Sequence, residues 1–221
     1  MTYLLIFIVL FLSIHFVLGS KGSYLKFNIP LLISLFISLS ISFIFQNTLS
    51  KGSFELAQKR ESLQEFLMSE PEDRNDTRKD VEDLIKYLSD KEDVQAGELY
   101  ILAKQLKNIN EFLLSTRIFK EIYDRYGNEL DGNVIAEYAQ VLFASNGRKF
   151  NDLLETLLDE SLKKTPDNPS ALTLKGLSEL EKNNLRNTIE LWNKAIVFLN
   201  SEKEKNDLKA LIEVVKKRKN Q

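Results

Sequence analysis

The sequence predicts an all-α protein, in which two N-terminal transmembrane helices precede a solenoid of helical hairpins. Two uncharged apolar stretches open the chain of 221 residues, and a charged, polar sequence follows them. After residue 45, apolar residues recur every three or four positions, which is typical of amphipathic helices. From residue 97, similar helix pairs repeat every 36 or 37 residues. We therefore expect a membrane hairpin (1–45), a helical linker region (46–96), the repeats (97–200) and a capping helix (201–221).

The two apolar stretches cover residues 4–18 and 29–45 and contain no Lys, Arg, Asp or Glu. A helix rises about 1.5 Å per residue, so roughly 17–20 such residues cross the hydrocarbon core of a bilayer. With their flanks, both stretches are long enough to be membrane spans. Val17–Gly19 resembles a small-residue cleavage site, so removal of the first span is an open alternative. The only histidine, His15, lies inside the first span, where it is either a functional candidate or a structural residue.

The charges near the span ends do not decide the orientation of this hairpin. Two basic residues lie between the spans and three follow the second span: Lys21 and Lys26, then Lys51, Lys59 and Arg60. The positive-inside rule compares these counts, and here they nearly balance. Two spans do require that both termini lie on the same side of the membrane.

Composition argues against several classes of function. The chain has 30 basic and 32 acidic residues and a formal net charge of −2, which does not suggest a nucleic-acid surface. It has no cysteine, so disulfides, thiolate zinc sites and Cys nucleophiles are excluded. After residue 45 there is no histidine and no Gly-rich phosphate loop, which excludes a Ser-His-Asp triad there. We therefore expect no enzyme, no metal and no cofactor; an enzyme that uses carboxylates is the alternative left open.

Three helix pairs occupy the repeat region, and equivalent positions carry similar residues. Leu99, Ile135 and Leu172 correspond. A small residue follows in each first helix and a large residue lies in each second helix: Ala103, Ala139 and Gly176, then Phe119, Leu158 and Trp192. This is the tetratricopeptide (TPR) pattern, in which a small residue lets two helices cross closely and a bulky one fills the gap to the neighbour.

The match to this pattern has two departures. The position that usually holds Ala in the second helix is Ser115, Leu154 and Thr188 here, and the second repeat has extra residues around Asn146–Lys149. The third repeat opens with a clear helix start, where Asp167 or Asn168 can cap and Pro169 suits the first turn. A polar stretch ahead of the repeats, Ser69–Lys79, is predicted to be a linker or loop.

First helices line the concave face of such a solenoid, and concave faces of this kind bind peptides or helices. Eight residues are predicted to point into that groove: Tyr100, Lys104, Lys107, Asn133, Gln140, Phe143, Thr173 and Leu177. Aromatic, amide and Lys side chains together suit an amphipathic helix or an extended peptide. Ordinary solvated surface is the alternative for the polar members.

The order of parts resembles the CcmI (CycH) family of bacterial c-type cytochrome assembly factors. The likeness covers roughly residues 97–200, and the hairpin by layout only. An Ala-Glu-Tyr-Ala run occurs at Ala136–Ala139, and further matching residues follow it: Pro166, Asp167, Pro169, Ala171, Leu172, Gly176, Ile189 and Trp192. One departure is the loop between the spans, which is long in many family members and is only Gly19–Phe27 here.

The resemblance implies a chaperone-like receptor that holds apocytochrome c by its C-terminal helix and presents it to the haem ligation complex. It also implies a bacterial inner-membrane protein with a cytoplasmic loop, periplasmic termini and a periplasmic TPR domain. The absence of cysteine fits, since thiol reduction in that system belongs to partner proteins. A generic membrane-anchored TPR scaffold for another envelope complex is the alternative, with the same fold and a different ligand.

Overall fold

The computed structural model describes residues 56–91 and 94–219, and within those ranges the chain is all-helical, with nine helices and no strand. The helices are α1 (56–68), α2 (Asn75–Asp90), α3 (Ala96–Asn108), α4 (Phe112–Tyr126), α5 (Gly132–Ser145), α6 (Asp152–Lys164), α7 (Pro169–Glu181), α8 (Leu185–Phe198) and α9 (Glu202–Lys219). The linker predicted for Ser69–Lys79 is wrong in its second half, because α2 begins at Asn75.

Neither predicted membrane span can be compared with the structure, because residues 1–55, His15 included, lie outside the described part of the chain. Of the helices that are described, none combines the length and the apolar character that crossing a membrane requires.

The first compact unit ends at Leu84, inside α2, and its described part consists of α1 and the start of α2. Phe66 is fully buried in it, and the guanidinium carbons of Arg74 and Arg78 lie 5.8 and 5.4 Å from the centre of its ring. The Ser62 hydroxyl donates to Asp80 over 3.0 Å. The cation–π contact of Arg78 and the hydrogen bond to Asp80 therefore join α2 to α1, and Arg74, just before α2, adds a second cation–π contact.

The second unit begins at Ile85 and contains three consecutive helix pairs. In each pair the two helices pack on each other: α3 on α4, α5 on α6, and α7 on α8. The second helix of a pair also packs on the first helix of the next, α4 on α5 and α6 on α7, and α9 covers α8. Successive pairs therefore stack in chain order, which is compatible with a helical solenoid.

The turn inside each pair uses a left-handed backbone conformation. Asn110 and Asn183 have φ of 63° and 62°, and the longer middle turn has two such residues, Gly147 and Arg148. The amide after Asn110 donates back to the Leu106 carbonyl, and Asn184 repeats this bond to Glu179. These bonds satisfy carbonyl groups that a helix end leaves without partners, and Asn tolerates the left-handed conformation better than most residues.

Three helix starts within the repeats have side-chain caps, at Asp131, Asn151 and Asn168. The Asn168 side chain accepts from the Ala171 amide over 2.8 Å, and Pro169 is the first residue of α7. Of the two residues that the sequence allowed as the cap, the structure selects Asn168. Asn151 caps α6 in the same way, accepting from the Leu154 amide over 2.9 Å.

Small residues of the first helices lie at contacts with the second helices in the first and third pairs. Trp192 of α8 covers Gly176 of α7, and a Cβ added at Gly176 would overlap the indole ring. The indole Nε1 donates to the Thr173 carbonyl over 3.0 Å, which fixes the ring in place. In the first pair, the Ser115 hydroxyl donates to the carbonyl of Ala103 over 2.8 Å. All six residues predicted to pack the repeats are buried: Ala103, Phe119, Ala139, Leu158, Gly176 and Trp192.

Aromatic rings link the first pair to the second. Phe119 of α4 meets Tyr100 edge-on, with ring centres 6.1 Å apart, and stacks on Tyr138 of α5 at 6.2 Å. Tyr123 adds a tilted contact with Tyr138 at 5.8 Å. Such pairs add about 0.5–1.5 kcal/mol beyond the area that they bury. The position of α5 beside α3 and α4 is therefore set by a row of rings.

A network of ion pairs around Glu155 joins α6 to α7. The carboxylate of Glu155 accepts from Lys175 over 3.0 Å, from Lys182 over 2.8 Å and from the hydroxyl of Ser178. Burial alone would raise the pKa of Glu155. The hydrogen bonds from these three donors together lower the pKa by more than burial raises it, so that it lies at about 2. The ionised form is therefore strongly favoured in the folded protein.

The end of the predicted linker region is hydrogen-bonded to the repeats. Arg125 of α4 donates to the carbonyl of Lys91 over 2.7 Å and also to the carbonyl of Ser89. The hydroxyl of Tyr126 donates to the carbonyl of Val94 over 3.0 Å. The carbonyl groups of Ser89, Lys91 and Val94 are thus each hydrogen-bonded to α4.

Replacement of Gly176 by Ala is expected to destabilise the chain by about 1–3 kcal/mol, because the added methyl group overlaps a buried indole that has no room to move. Gly97→Ala is the matched control, since a Cβ there meets no atom within 4 Å and Ala favours a helix. Thermal unfolding followed by circular dichroism should give a lower Tm for Gly176→Ala and an equal or higher Tm for Gly97→Ala. Equal melting temperatures for the two variants would contradict the close crossing.

Glu155→Gln is expected to reduce stability at neutral pH by on the order of 2 kcal/mol. The folded-state pKa of Glu155, about 2, is below the ordinary 4.5, so its contribution is present above about pH 4.5 and is lost as pH falls toward 2. Denaturant unfolding at several pH values should therefore show a weaker acid dependence in the variant. Glu213→Gln, at an exposed pair with Lys216, should leave the acid dependence unchanged.

Candidate functional site

Side chains from two first helices meet in one polar cluster on the surface of the second unit. Tyr100, Lys104 and Lys107 come from α3, and Glu137 and Gln140 come from α5; we call these five residues the lysine–glutamate cluster. The Glu137 carboxylate accepts from the Tyr100 hydroxyl over 2.9 Å and from the Lys104 ammonium over 3.3 Å. The Lys107 ammonium donates to the Gln140 side chain over 2.6 Å. The cluster therefore bridges the first and second helix pairs.

Helical spacing and the step between repeats create this cluster. Residues 100, 104 and 107 lie at i, i+4 and i+7, so one face of α3 presents all three side chains. Glu137 and Gln140 lie at i and i+3 on α5 and face them across the pair boundary. The ring of Tyr100 is held by its edge-on contact with Phe119, and the Lys104 ammonium lies 5.3 Å from the centre of that ring. The buried core thus orients the polar surface.

The electrostatics of the cluster favour its charged form. Hydrogen bonding and charge attraction from Glu137 raise the pKa of Lys104, so its ammonium is protonated at neutral pH. Burial, followed by the hydrogen bond to Glu137, raises the pKa of Tyr100, which keeps its hydroxyl as a donor. With two ammonium groups and one carboxylate, the cluster carries one excess positive charge.

One oxygen of Glu137 is poorly satisfied. Within the described part of the chain, Glu137 Oε2 is buried and has no hydrogen-bond partner. The Lys107 ammonium lies 3.5 Å from it but donates to Gln140. A buried acceptor without a partner costs about 1–3 kcal/mol, and more when it is charged. Glu137 is therefore held close to two cations in an arrangement that does not satisfy both of its oxygens.

The other four predicted groove residues have different surroundings. Asn133 accepts from the Asn168 side chain over 2.7 Å and donates to Asp131, its own helix cap. The ring of Phe143 packs on Phe150, with ring centres 4.9 Å apart. The structure therefore brings Tyr100, Lys104, Lys107 and Gln140 together, and it gives Asn133 and Phe143 other partners.

In the third pair, the predicted groove residues contribute mainly to packing. The hydroxyl of Thr173 donates to the carbonyl of Pro169 in its own helix, and the Thr173 carbonyl accepts from Trp192. Leu177 packs against the buried cluster of α7, α8 and α9 that includes Trp192. The Thr173 carbonyl and the Leu177 side chain thus support the close crossing at Gly176.

Two residues of the site are absent from the sequence prediction. Glu137 is the centre of the cluster, and Ile101, next to Tyr100, is 60% exposed although it is apolar. The repeat alignment could have revealed both residues, because Ile101, Glu137 and Leu174 occupy equivalent positions 36 and 37 residues apart. A carboxylate at a position that is apolar in the neighbouring repeats, 33 residues after a lysine, indicates a lateral ion pair.

Away from this cluster, an open polar cavity of about 310 Å³ lies beside the end of α4. Tyr123 and Glu160 line it, and the Tyr123 hydroxyl donates to Glu160 over 2.6 Å. This hydrogen bond is the main cause that raises the pKa of Tyr123 to about 12, so the phenol stays protonated at neutral pH. The pair therefore joins α4 to α6.

The lysine–glutamate cluster offers ammonium donors, a phenol, an amide and an adjacent apolar side chain, which together suit the binding of another polypeptide. Among the residues that the structure describes, no group of three or more Asp, Glu or His side chains is arranged to hold a metal ion.

In comparisons with known proteins, no family model, no curated protein and no solved structure matches this chain.

Proposed function

We propose that this chain is a membrane-anchored TPR protein of c-type cytochrome assembly. In this proposal the repeats bind apocytochrome c by its C-terminal helix and present it to the haem ligation complex. The chain acts as a receptor and not as an enzyme. The resemblance of residues 97–200 to the CcmI (CycH) family supports the choice of client.

The TPR assignment is supported by how the helix pairs cross. Ala103 and Gly176 occupy equivalent positions in the first and third pairs; the Ser115 hydroxyl donates to the Ala103 carbonyl, and the indole of Trp192 covers Gly176. Both lie in pairs that stack in chain order. The contact of Gly176 with Trp192 is of the kind that the repeat pattern requires, a small residue at the crossing and a bulky one closing it.

The single observation that carries the binding role is the partly exposed lysine–glutamate cluster with Ile101 beside it. Ile101 is 60% exposed, and the Lys104 side chain is 43% exposed. An amphipathic helix presents an apolar stripe flanked by polar residues, which this combination of an apolar anchor and polar donors complements. An unfolded apocytochrome has such segments, and ordering one of them leaves the haem-binding motif free for ligation. Because ordering opposes binding, affinity would rest on a few apolar anchors.

We place the protein in a bacterial inner membrane, with the loop between the spans in the cytoplasm and the repeats in the periplasm. This part of the proposal follows from the two apolar stretches at 4–18 and 29–45 and from the family resemblance. A receptor tethered in this way holds its client close to ligation proteins in the same membrane, which raises the effective concentration of one near the other.

Binding to the client is tested with the full chain in nanodiscs and a labelled peptide from the C-terminal helix of the host's own c-type apocytochromes. We expect saturable binding to this peptide and none to a scrambled peptide or to folded holocytochrome. Ile101→Ser should weaken binding by about 1 kcal/mol, close to fivefold in Kd, because it removes an apolar anchor. Leu113→Ser is the matched control, since Leu113 is 57% exposed on a second helix.

Equal binding of all peptides, or no binding, would contradict the cytochrome role. The alternative is then a generic TPR scaffold for another envelope complex, whose client would be sought among membrane partners. Equal weakening by Ile101→Ser and Leu113→Ser would leave the client in place but move its binding surface away from α3.

Membrane topology is tested by cysteine labelling, which has no background because the chain contains no cysteine. Spheroplasts are treated with a membrane-impermeant maleimide. We expect Leu113→Cys to react in intact spheroplasts and Ser23→Cys, between the spans, to react only after lysis. The reverse pattern, or fractionation of the chain away from membranes, would contradict the proposed placement.

A further inference from the structure

The binding surface is partly occupied by the protein's own carboxylate. Glu137 accepts from Tyr100 and Lys104, and its second oxygen lies 3.5 Å from the Lys107 ammonium without a hydrogen bond. Two donors of α3 thus bind one acidic side chain of the neighbouring repeat, and the Lys107 ammonium lies beside it as a second cation. Because only one carboxylate faces two ammonium groups, the cluster keeps an excess positive charge.

We propose that the lysine–glutamate cluster binds an acidic side chain of an amphipathic helix, and that Glu137 neutralises part of the positive charge that attracts this carboxylate. The partner's acidic side chain pairs with Lys104 and Lys107, and an apolar residue on the same helical face contacts Ile101. This inference rests on the proposed function, because it specifies the chemistry of the segment that the repeats bind.

The donors of the cluster are sufficient for a second carboxylate. Each lysine ammonium has three N–H donors. Lys104 donates to Glu137 and Lys107 donates to Gln140, and their side chains are 43% and 25% exposed. A carboxylate that approaches from solvent therefore meets two cations from one side. A basic partner residue at the same place would be repelled by both ammonium groups.

The position of Ile101 determines which kind of acidic partner fits. Ile101 and Lys104 are separated by three residues, so they are neighbours on one face of α3. A partner helix with an acidic and an apolar residue one turn apart contacts both at once. A free anion or an unstructured acidic tail offers the carboxylate alone and leaves Ile101 exposed to water.

The test uses the full chain in nanodiscs and three amidated model helices, each with a leucine stripe. They differ at one central position, which is Glu, Gln or Lys, and amidation removes the C-terminal carboxylate as a competing source of charge. Four variants are compared with the parent chain: Glu137→Gln, Lys104→Gln, and two controls at exposed ion pairs elsewhere, Glu213→Gln and Lys120→Gln. Circular dichroism confirms that each variant is folded.

The parent chain is expected to bind the Glu helix more tightly than the Gln helix, and the Lys helix least. Glu137→Gln should strengthen binding of the Glu helix roughly threefold and leave the Gln helix unchanged, since one exposed ion pair is worth up to about fivefold in affinity. Lys104→Gln should weaken binding of the Glu helix by a similar factor, and this loss should shrink at high salt. Neither control should alter the preference for Glu over Gln.

Equal affinity for the three helices, no binding of any of them, or an unchanged Glu preference in Glu137→Gln would overturn the inference. The apocytochrome peptide is measured in the same series, so that the two proposals fail separately. Binding of that peptide without any effect of Glu137→Gln would refute the role of Glu137 and keep the cytochrome role. Preference for the Glu helix, lost or changed in Glu137→Gln, without binding of the apocytochrome peptide would refute the cytochrome role and keep the role of Glu137.

Discussion

The close crossing of paired helices is the constraint on which the rest of the second unit depends. Two helices approach at Gly176 only because that position has no side chain, and the indole of Trp192 occupies the space. The indole also donates a hydrogen bond to the backbone of α7, so its orientation is fixed by polar as well as apolar contacts. A crossing of this kind sets the rotation of one helix against the other. Every residue three or four positions away then has a defined direction.

Contacts between neighbouring pairs also orient side chains at the surface. Phe119 lies between Tyr100 and Tyr138, so the ring that fills the gap inside the first pair also contacts the second. Tyr100 takes part in both layers, because its ring packs on Phe119 while its hydroxyl donates to Glu137. The polar cluster is therefore arranged by the core beneath it, which reduces the conformational freedom that a partner would otherwise have to remove on binding.

The parts of the fold that depend on local sequence could be predicted, and in the described residues the all-helical fold is confirmed. The cap at Asn168, followed by Pro169, could be predicted from the sequence because a cap and the amide that it accepts from are only three positions apart. The start of α2 was missed because Asn75–Lys79 is polar and lacks an apolar stripe, and the helix continues into a segment whose buried residues stabilise it. Tertiary packing, and not local pattern, extends this helix.

The site was harder to predict because its contacts join side chains of different repeats, on α3 and α5. Position in the repeat indicated that Tyr100, Lys104, Lys107 and Gln140 share a face, but not that Glu137 would pair with three of their side chains. That pairing depends on the distance between α3 and α5, which only the packed rings determine. Phe143 was expected in the groove because of its spacing, whereas Phe150, in the longer turn of the second pair, supplies a ring for it to pack on.

Hydrogen–deuterium exchange of the full chain in nanodiscs, with and without the apocytochrome C-terminal peptide, tests most directly whether the face shared by α3 and α5 is the binding surface. The account predicts that the peptide slows exchange in α3 and α5, which carry the cluster, and leaves α9 unchanged. Slower exchange confined to α9 or to α1, with none in α3 and α5, would contradict it.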